Sequence, residues 1–266
     1  MQKGSFLFLG TGASAGVPLI GCDCCVCQST DPHNQRLRPS GILNVYGKTF
    51  LIDSGPDFRQ QALKHKIVHL DGLLLTHTHF DHIAGIDELR VINFRQKRAF
   101  PCLLSKESLA DLRSRYDYLF RKPVANATRA AEIDCQVLPQ ETGSIEFCGV
   151  NIRYTSYRQG GMKVNGFRVG RFAYVSDIRD HDQEIFTFLD GVDQLVLSAL
   201  RPEPSPVHLS LDEAVQFSAK VGAKQTWLTH LSHSVDHETS CRLLPPNVQP
   251  GYDGLSFNFD LEEPYA

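Results

Sequence analysis

Apolar residues fall in short runs along most of this chain, and polar residues gather where the runs end. Runs rich in Leu, Val, Ile and Phe and bounded by Gly, Asp or Ser read as strands. They predict strands over 5–9, 42–46, 49–53, 72–76, 135–138, 150–155, 167–169, 172–176, 194–198 and 225–229, with Gly47-Lys48 as a tight hairpin turn. Helical spacing predicts helices over 57–65, 82–94, 106–120, 182–189 and 211–221. Asp212 and Glu213 lie in the first turn of the last one, where the helix dipole favours acids. Strands come first, then mix with helices, then return. That order predicts an α/β (mixed α+β) chain with two packed sheets and helices outside, in one domain over 1–266.

The 266 residues, 42% of them hydrophobic, are enough for a sizeable core. A formal net charge of −3 provides no global field toward nucleic acid or membrane. Residues 90–129 depart from this balance, with ten Lys or Arg against three Asp or Glu, and read as a solvated helical face ahead of an anion-steering surface. No stretch reaches the length of a membrane helix, and the apolar run after Gly4 is too short for a signal core. The expectation is a cytoplasmic protein with no membrane partner. In a reducing compartment eight cysteines are metal ligands or core residues rather than disulfides. A homodimer is expected only from the general frequency of two-fold assemblies.

The candidate chemistry begins where the run Leu73-Leu74-Leu75-Thr76 ends, in His77-Thr78-His79-Phe80-Asp81-His82. Residues just past a strand sit on a rigid edge. His77 and His79, two apart, point the same way in extended chain. Four nitrogen and oxygen donors on one turn suit zinc, manganese or iron, and two donor pairs suit two cations better than one. Asp177 and His230 repeat the arrangement at the ends of the runs 172–176 and 226–229. A carboxylate can bridge two cations, and Asp177 is the natural bridge. His208 follows a stiff, Pro-rich approach, Pro202 to Pro206, that should face solvent; held there, it can donate a proton at neutral pH.

A second metal site is signalled at 21–28. Cys22, Cys24 and Cys27 form a C-x-C-x-x-C pattern, and three thiolates plus one imidazole make a closed tetrahedral zinc site. His233, three residues after His230, is the candidate fourth ligand. Cys25 is left over, and Cys102, Cys135, Cys148 and Cys241 are scattered and read as core. Gly10-Thr11-Gly12-Ala13-Ser14-Ala15-Gly16 has no Gly-Lys-Ser/Thr after it, so it reads as a tight turn letting backbones approach closely rather than a nucleotide loop.

In their order, the glycine loop, Leu51-Ile52-Asp53-Ser54-Gly55, the His77 to His82 motif, Asp177 and His230 resemble the metallo-β-lactamase fold family. The cysteine loop and Thr229-His230-Leu231-Ser232-His233 resemble, within it, the PhnP-type phosphodiesterases. The resemblance implies a four-layer αβ/βα sandwich with a dinuclear site at one edge of the sheets. It implies His77 and His79 on one cation, Asp81, His82 and His230 on the other, Asp177 between them, and Asp53 orienting ligands from behind. It implies structural zinc on Cys22, Cys24, Cys27 and His233, and His208 near the leaving group. The family's further histidine falls on Gln159, a poorer ligand than imidazole; His181 is the available substitute.

The expected activity is hydrolysis of a small, possibly cyclic ribosyl, phosphodiester by water activated between two divalent cations. Asp81 is both ligand and candidate partner of the nucleophile, and Arg158 or Arg201 is a candidate phosphate contact. One alternative is RNA 3′-end processing of ribonuclease Z type. Another is a metal-binding protein without turnover, because of Gln159.

Overall fold

The computed structural model of this chain describes residues 2–121 and 130–261. The last part of the basic stretch, 122–129, lies outside the described residues. Numbered in chain order, the first sheet contains β1 (Lys3–Gly10), β2 (Ser40–Val45), β3 (Lys48–Ile52), β4 (Gly72–Leu74), β5 (Phe100–Leu104), β6 (Ile133–Val137) and β14 (Ser256–Asp260), in the order β14-β1-β2-β3-β4-β5-β6. The second contains β7 (Thr142–Phe147), β8 (Val150–Gln159), β9 (Met162–Val169), β10 (Phe172–Val175), β11 (Gln194–Ser198), β12 (Gln225–Thr229) and β13 (Val248–Pro250), in the order β13-β12-β11-β10-β9-β8-β7. The helices are α1 (Phe58–Lys64), α2 (Phe80–Ile83), α3 (Arg90–Gln96), α4 (Lys106–Arg115), α5 (Glu184–Leu189), α6 (Leu211–Val221) and α7 (His237–Leu243).

Alternation along each strand builds the layers. Phe50 and Ile52 of β3 face the interior between the sheets, while Leu51 faces the outer layer with Phe58 of α1 and Leu112 of α4. In the second sheet Phe172 and Tyr174 of β10 turn inward, and Ala173 and Val175 turn out against Phe188 of α5 and Phe217 of α6. The result is the αβ/βα sandwich. Its middle layer is aromatic: Phe6 stacks on Phe172 at 5.0 Å and Phe172 on Phe259 at 4.8 Å between ring centroids, tying the sheets together.

Several expected elements change. The helix expected over 82–94 is broken into α2, a 3-10 turn at Ile86–Leu89, and α3. Gly85 explains the break: its N–H donates to the Ser54 carbonyl at 2.9 Å, and a Cβ there would stand 2.1 Å from the Gly55 oxygen. The helix over 106–120 likewise ends at Arg115 and continues as a 3-10 turn, Asp117–Phe120. Residues 156–166, to which the sequence pattern assigns no strand or helix, extend β8 and β9 into a hairpin turning at Gly160 and Gly161, with φ of 53° and 88°. Both positive angles suit the turns that match strand twist. The glycine loop makes the close approach expected of it. A Cβ on Gly10 would lie 2.0 Å from the Arg38 carbonyl oxygen, and Gly12 bridges to Leu231, next to His230.

Among the described residues no helix is long and apolar enough to cross a membrane. Of the four scattered cysteines Cys102 is fully buried in the core and the partly buried Cys135 and Cys148 pack against it; Cys241, partly exposed and beside His237, corrects the core reading.

Candidate metal centre

Strands β3, β4, β5 and β6 run parallel to one another, as do β10, β11, β12 and β13. Side chains just past the carboxyl ends of such strands can converge, because the strands fix where each one starts. Asp53 follows β3, the His77 to His82 turn follows β4, Asp177 follows β10, the loop bearing His208 follows β11, and His230 follows β12. Asp53, Asp177 and His230 all adopt the left-handed backbone region, with φ of 58°, 56° and 60°. Outside glycine this costs about 1–3 kcal/mol, and Asp and His are among the types that tolerate it. Each sharp turn aims a polar side chain back across the strand ends.

His77 Nε2 faces His79 Nδ1 at 2.9 Å. Asp81 Oδ2 lies 3.4 Å from His82 Nε2 and 3.2 Å from His230 Nε2. Asp177 reaches both sides: Oδ2 is 3.3 Å from His82 Nε2 and Oδ1 is 3.2 Å from His230 Nε2, while its carboxylate also groups with His77. The structure therefore brings His77, His79, Asp81, His82, Asp177 and His230 into one cluster, buried except for the partly exposed His79. Burial holds His77 well below the usual histidine range, with His82 adding to the effect. Burial alone would lower His82 too, but Asp81, Asp177 and Asp53 outweigh it and hold that ring well above. Burial would raise Asp177, and His230 and His82 reverse that and keep it ionised.

This cluster fits a cation. A tetrahedral ion with bonds of about 2.0–2.1 Å sets its donors about 3.3–3.4 Å apart, close to the separations here. His82 Nε2 is buried between two carboxylates without a hydrogen-bond partner. Its other nitrogen, Nδ1, meets Asp53 Oδ2 at 2.6 Å, which directs the Nε2 lone pair into the cluster.

Sequence reasoning missed the supports around these side chains. Thr76 donates its backbone N–H to Asp53 Oδ1 and its hydroxyl to Asp53 Oδ2, both at 2.8 Å, and its oxygen lies 3.0 Å from His77 Nδ1. Asn165 of β9 donates its amide to the Thr76 carbonyl at 2.8 Å, linking the two sheets at the site. The Thr78 hydroxyl donates to Asp111 of α4 at 2.5 Å, and Arg115 binds both Asp111 and the Thr78 carbonyl. A polar residue beside the histidine motif was the only signal available for Thr76 and Thr78. Nothing local marked Asn165 or Asp111.

Three expectations need correction. His208 does not face solvent; it is 7% exposed and stacks on His230 with centroids 4.6 Å apart. Burial, with His230 beside it, pushes its pKa down to about 4, so the ring is neutral rather than an imidazolium at neutral pH. His181 does not join the cluster: it meets Phe186 and Phe217 edge-on at 5.6 and 5.4 Å, and among the described residues no group of converging donors includes it. The Arg158 guanidinium points away from Gln159 along the alternation of β8 and donates to the Gly161 carbonyl at 2.7 Å. Gln159 itself is buried, with Nε2 donating to Asp177 Oδ1 at 3.2 Å.

The cysteine loop forms a second cluster. His233 Nδ1 lies 3.3, 3.5 and 3.7 Å from the Sγ atoms of Cys22, Cys24 and Cys27. Tetrahedral zinc, with bonds of about 2.3 Å to sulfur and 2.0–2.1 Å to nitrogen, sets sulfur and nitrogen about 3.6 Å apart. The Cys27 N–H donates to Cys24 Sγ at 3.4 Å and pulls that thiol down to about 6, whereas burial pushes Cys27 up to about 11 despite the Leu19 N–H at 3.3 Å from its sulfur. Cys25 is exposed and stands outside.

Two sheets between helices, with imidazoles and carboxylates meeting where parallel strands end, define the class: a hydrolase scaffold of the metallo-β-lactamase fold. Residues 48–231 match the family model of the beta-lactamase superfamily domain. A solved structure described as a new diphosphatase from the PhnP family is 36% identical, with a TM-score of 0.90 and 98% of each chain covered. An octanoyltransferase of Porphyromonas gingivalis is 35% identical over 258 residues, 96% of this chain and 51% of that protein, so the chain spans about half its length. Zinc-bound PqqB of Methylobacterium extorquens shares the fold at 16% identity, with a TM-score of 0.75 and coverage of 95% and 99%. The chain belongs to the beta-lactamase superfamily and, within it, to the PhnP family.

Proposed function

We propose that this chain is a metal-dependent phosphodiester hydrolase, acting on a small diester or diphosphate-bridged substrate. The observation that carries this reading is Asp177, whose two oxygens lie 3.3 and 3.2 Å from nitrogens of His82 and His230 while it also groups with His77. A carboxylate so placed is suited to two cations at once. One cation, zinc, manganese or iron, would be held by His77 and His79, the other by Asp81, His82 and His230, with Asp177 shared. Bound there, the cations supply Lewis acidity that activates water at neutral pH and offsets phosphate charge. A structural zinc on Cys22, Cys24, Cys27 and His233 would pin the 21–28 loop beside His230.

The chain's own residues do the positioning. Asp53 fixes the His82 ring directly and reaches His77 through Thr76. Asp111 and Arg115 hold the backbone between His77 and His79. Burial would raise Asp81, but His82 beside it and the hydrogen bond from His230 at 3.2 Å outweigh that and keep its carboxylate ionised and able to orient a water by hydrogen bonding. Similarity to a PhnP-family diphosphatase supports phosphoryl rather than acyl chemistry.

The test is hydrolysis of bis(p-nitrophenyl) phosphate and of ADP-ribose with added manganese or zinc. Turnover is expected with at least one of them, and Asp177→Ala and His79→Ala should each remove it. Activity unchanged by both substitutions would rule the reading out.

A further inference from the structure

The loop between β13 and β14 carries a carboxylate, turned inward, that the chemistry above does not use. The loop is tied to both sheets: the Gly251 N–H donates to the Leu228 carbonyl of β12 at 2.8 Å, and the Gly254 N–H to the Phe8 carbonyl of β1 at 2.9 Å. Between them, Asp253 accepts three hydrogen bonds. Oδ1 takes the Thr11 N–H at 2.9 Å and the Thr11 hydroxyl at 2.8 Å, and Oδ2 takes the Leu37 N–H at 2.7 Å. Thr11 meets the His230 turn in its own right. Its carbonyl accepts from the Leu231 N–H at 2.9 Å, and the Ala13 N–H donates to the Leu231 carbonyl at 3.0 Å, so the glycine loop holds both backbone groups of Leu231. The Gly12 N–H donates to the Leu37 carbonyl at 2.8 Å, which closes these contacts back onto Asp253.

We propose that Asp253 is a positioning residue for the metal cluster, holding Thr11 and Leu37 so that the glycine loop clamps Leu231 and fixes the turn that aims His230. This rests on the dinuclear reading above. Three features support it. His230 has φ of 60°, a conformation that persists outside glycine only where the surroundings hold it. The glycine loop that holds it has little packing of its own. Its side chains are small, and Gly12 has no room for a larger one, since a Cβ there would stand 2.8 Å from the Arg36 carbonyl oxygen. Hydrogen bonds therefore set its path, and Asp253 receives two of them from Thr11. Finally, the carboxylate is kept at a cost. Burial pushes its pKa up to about 6 against the pull of its three donors, and among the described residues no Lys, Arg or His forms an ion pair with it. Only a carboxylate presents two oxygens that accept without donating, and so meets Thr11 and Leu37 together.

The experiment measures metal, not turnover. The full chain is loaded with cobalt(II), whose thiolate absorption reports the cysteine loop apart from the cluster, and a chelator is titrated against it. Asp253→Ala, Asp253→Asn and Thr11→Val are compared with the unsubstituted chain, with circular dichroism confirming the fold; the asparagine and valine variants keep the test usable should the alanine variant misfold. Asp71→Asn is the control. Asp71 also accepts a backbone N–H, from Thr49 at 2.9 Å, but it lies at the opposite end of β4 from His77. Cluster affinity should fall about 10-fold in Asp253→Ala, as for other partners that orient a metal ligand. The loss should be smaller in Asp253→Asn, whose one oxygen still serves one side. Thr11→Val should also weaken the cluster, and adding it to Asp253→Ala should cost nothing more, because both act along one route. Asp71→Asn should lower the thermal midpoint and leave cluster affinity unchanged. Unchanged affinity in a folded Asp253 variant would overturn the proposal and leave the dinuclear reading standing. An equal loss in Asp71→Asn would overturn it too, by making the effect one of general stability. Additive losses in the double variant would overturn the route through Thr11. If the unsubstituted chain binds only the cysteine-loop ion, the dinuclear reading itself fails, and this inference with it.

Discussion

Asp53 Oδ2 lies 2.6 Å from His82 Nδ1, and both side chains are wholly buried. Through the Thr76 hydroxyl the same carboxylate also reaches His77 Nδ1. One residue behind the cluster thus fixes the orientation of two rings in front of it, one for each proposed cation. Partners of this kind are worth about 10–100-fold in metal affinity. Asp53→Ala should weaken zinc binding at the cluster by that factor in a chelator competition, while the cysteine-loop ion is retained. Unchanged affinity would mean that the rings are held by packing alone.

The left-handed backbone at His230 separates the cost of the turn from the value of the ring. Glycine adopts a φ of 60° freely and alanine does not. In metal-free protein His230→Gly should be about 1 kcal/mol more stable than His230→Ala by urea denaturation. Both should lose metal at the cluster alike. Equal stability would show that the conformation costs nothing.

The cysteine loop should behave as a separate unit. Cys24→Ser removes a donor 3.5 Å from His233 Nδ1 and should release one zinc equivalent and lower the thermal midpoint. Because His233 lies three residues after His230, turnover should fall as well, although the substitution touches no residue of the cluster. A variant with full zinc content would remove the loop from the account.

Asp236 gives a pH dependence remote from the cluster. The Thr239 hydroxyl and N–H, with the Asn34 amide, hold its carboxyl down at about 2. An unfolded Asp titrates near ~3.9, so the folded carboxylate contributes stability above that pH and loses it as pH falls through about 2. Asparagine caps a helix about as well but carries no charge. The difference in urea midpoint between the unsubstituted chain and Asp236→Asn should be present at about pH 6 and shrink at about pH 3. A constant difference would show that the charge contributes nothing.

Much of the site was legible because each ligand candidate ends an apolar run: Asp177 after Tyr174-Val175-Ser176, and His230 after Trp227-Leu228-Thr229. A run that must be buried fixes where its polar end emerges. The strands that escaped notice lacked that signal. Pro101 masks β5, β13 has three residues, β7 alternates through exposed Thr142, Ser144 and Glu146, and β14 buries only Phe259 of its five residues. His208 was misread because proline and serine in its approach suggested a solvated loop. What buries it is the distant pair Gln159 and His230, which no local pattern reveals. Asn165 was invisible for a similar reason, since its partner Thr76 lies 89 residues away on the other sheet.

The most direct test of the central claim is anomalous diffraction from crystals of the zinc-loaded chain, collected at the zinc edge. The account predicts a close pair of peaks on either side of the Asp177 carboxylate and a separate peak among Cys22, Cys24, Cys27 and His233. A peak at the cysteine loop alone, with none beside the Asp177 carboxylate, would contradict it.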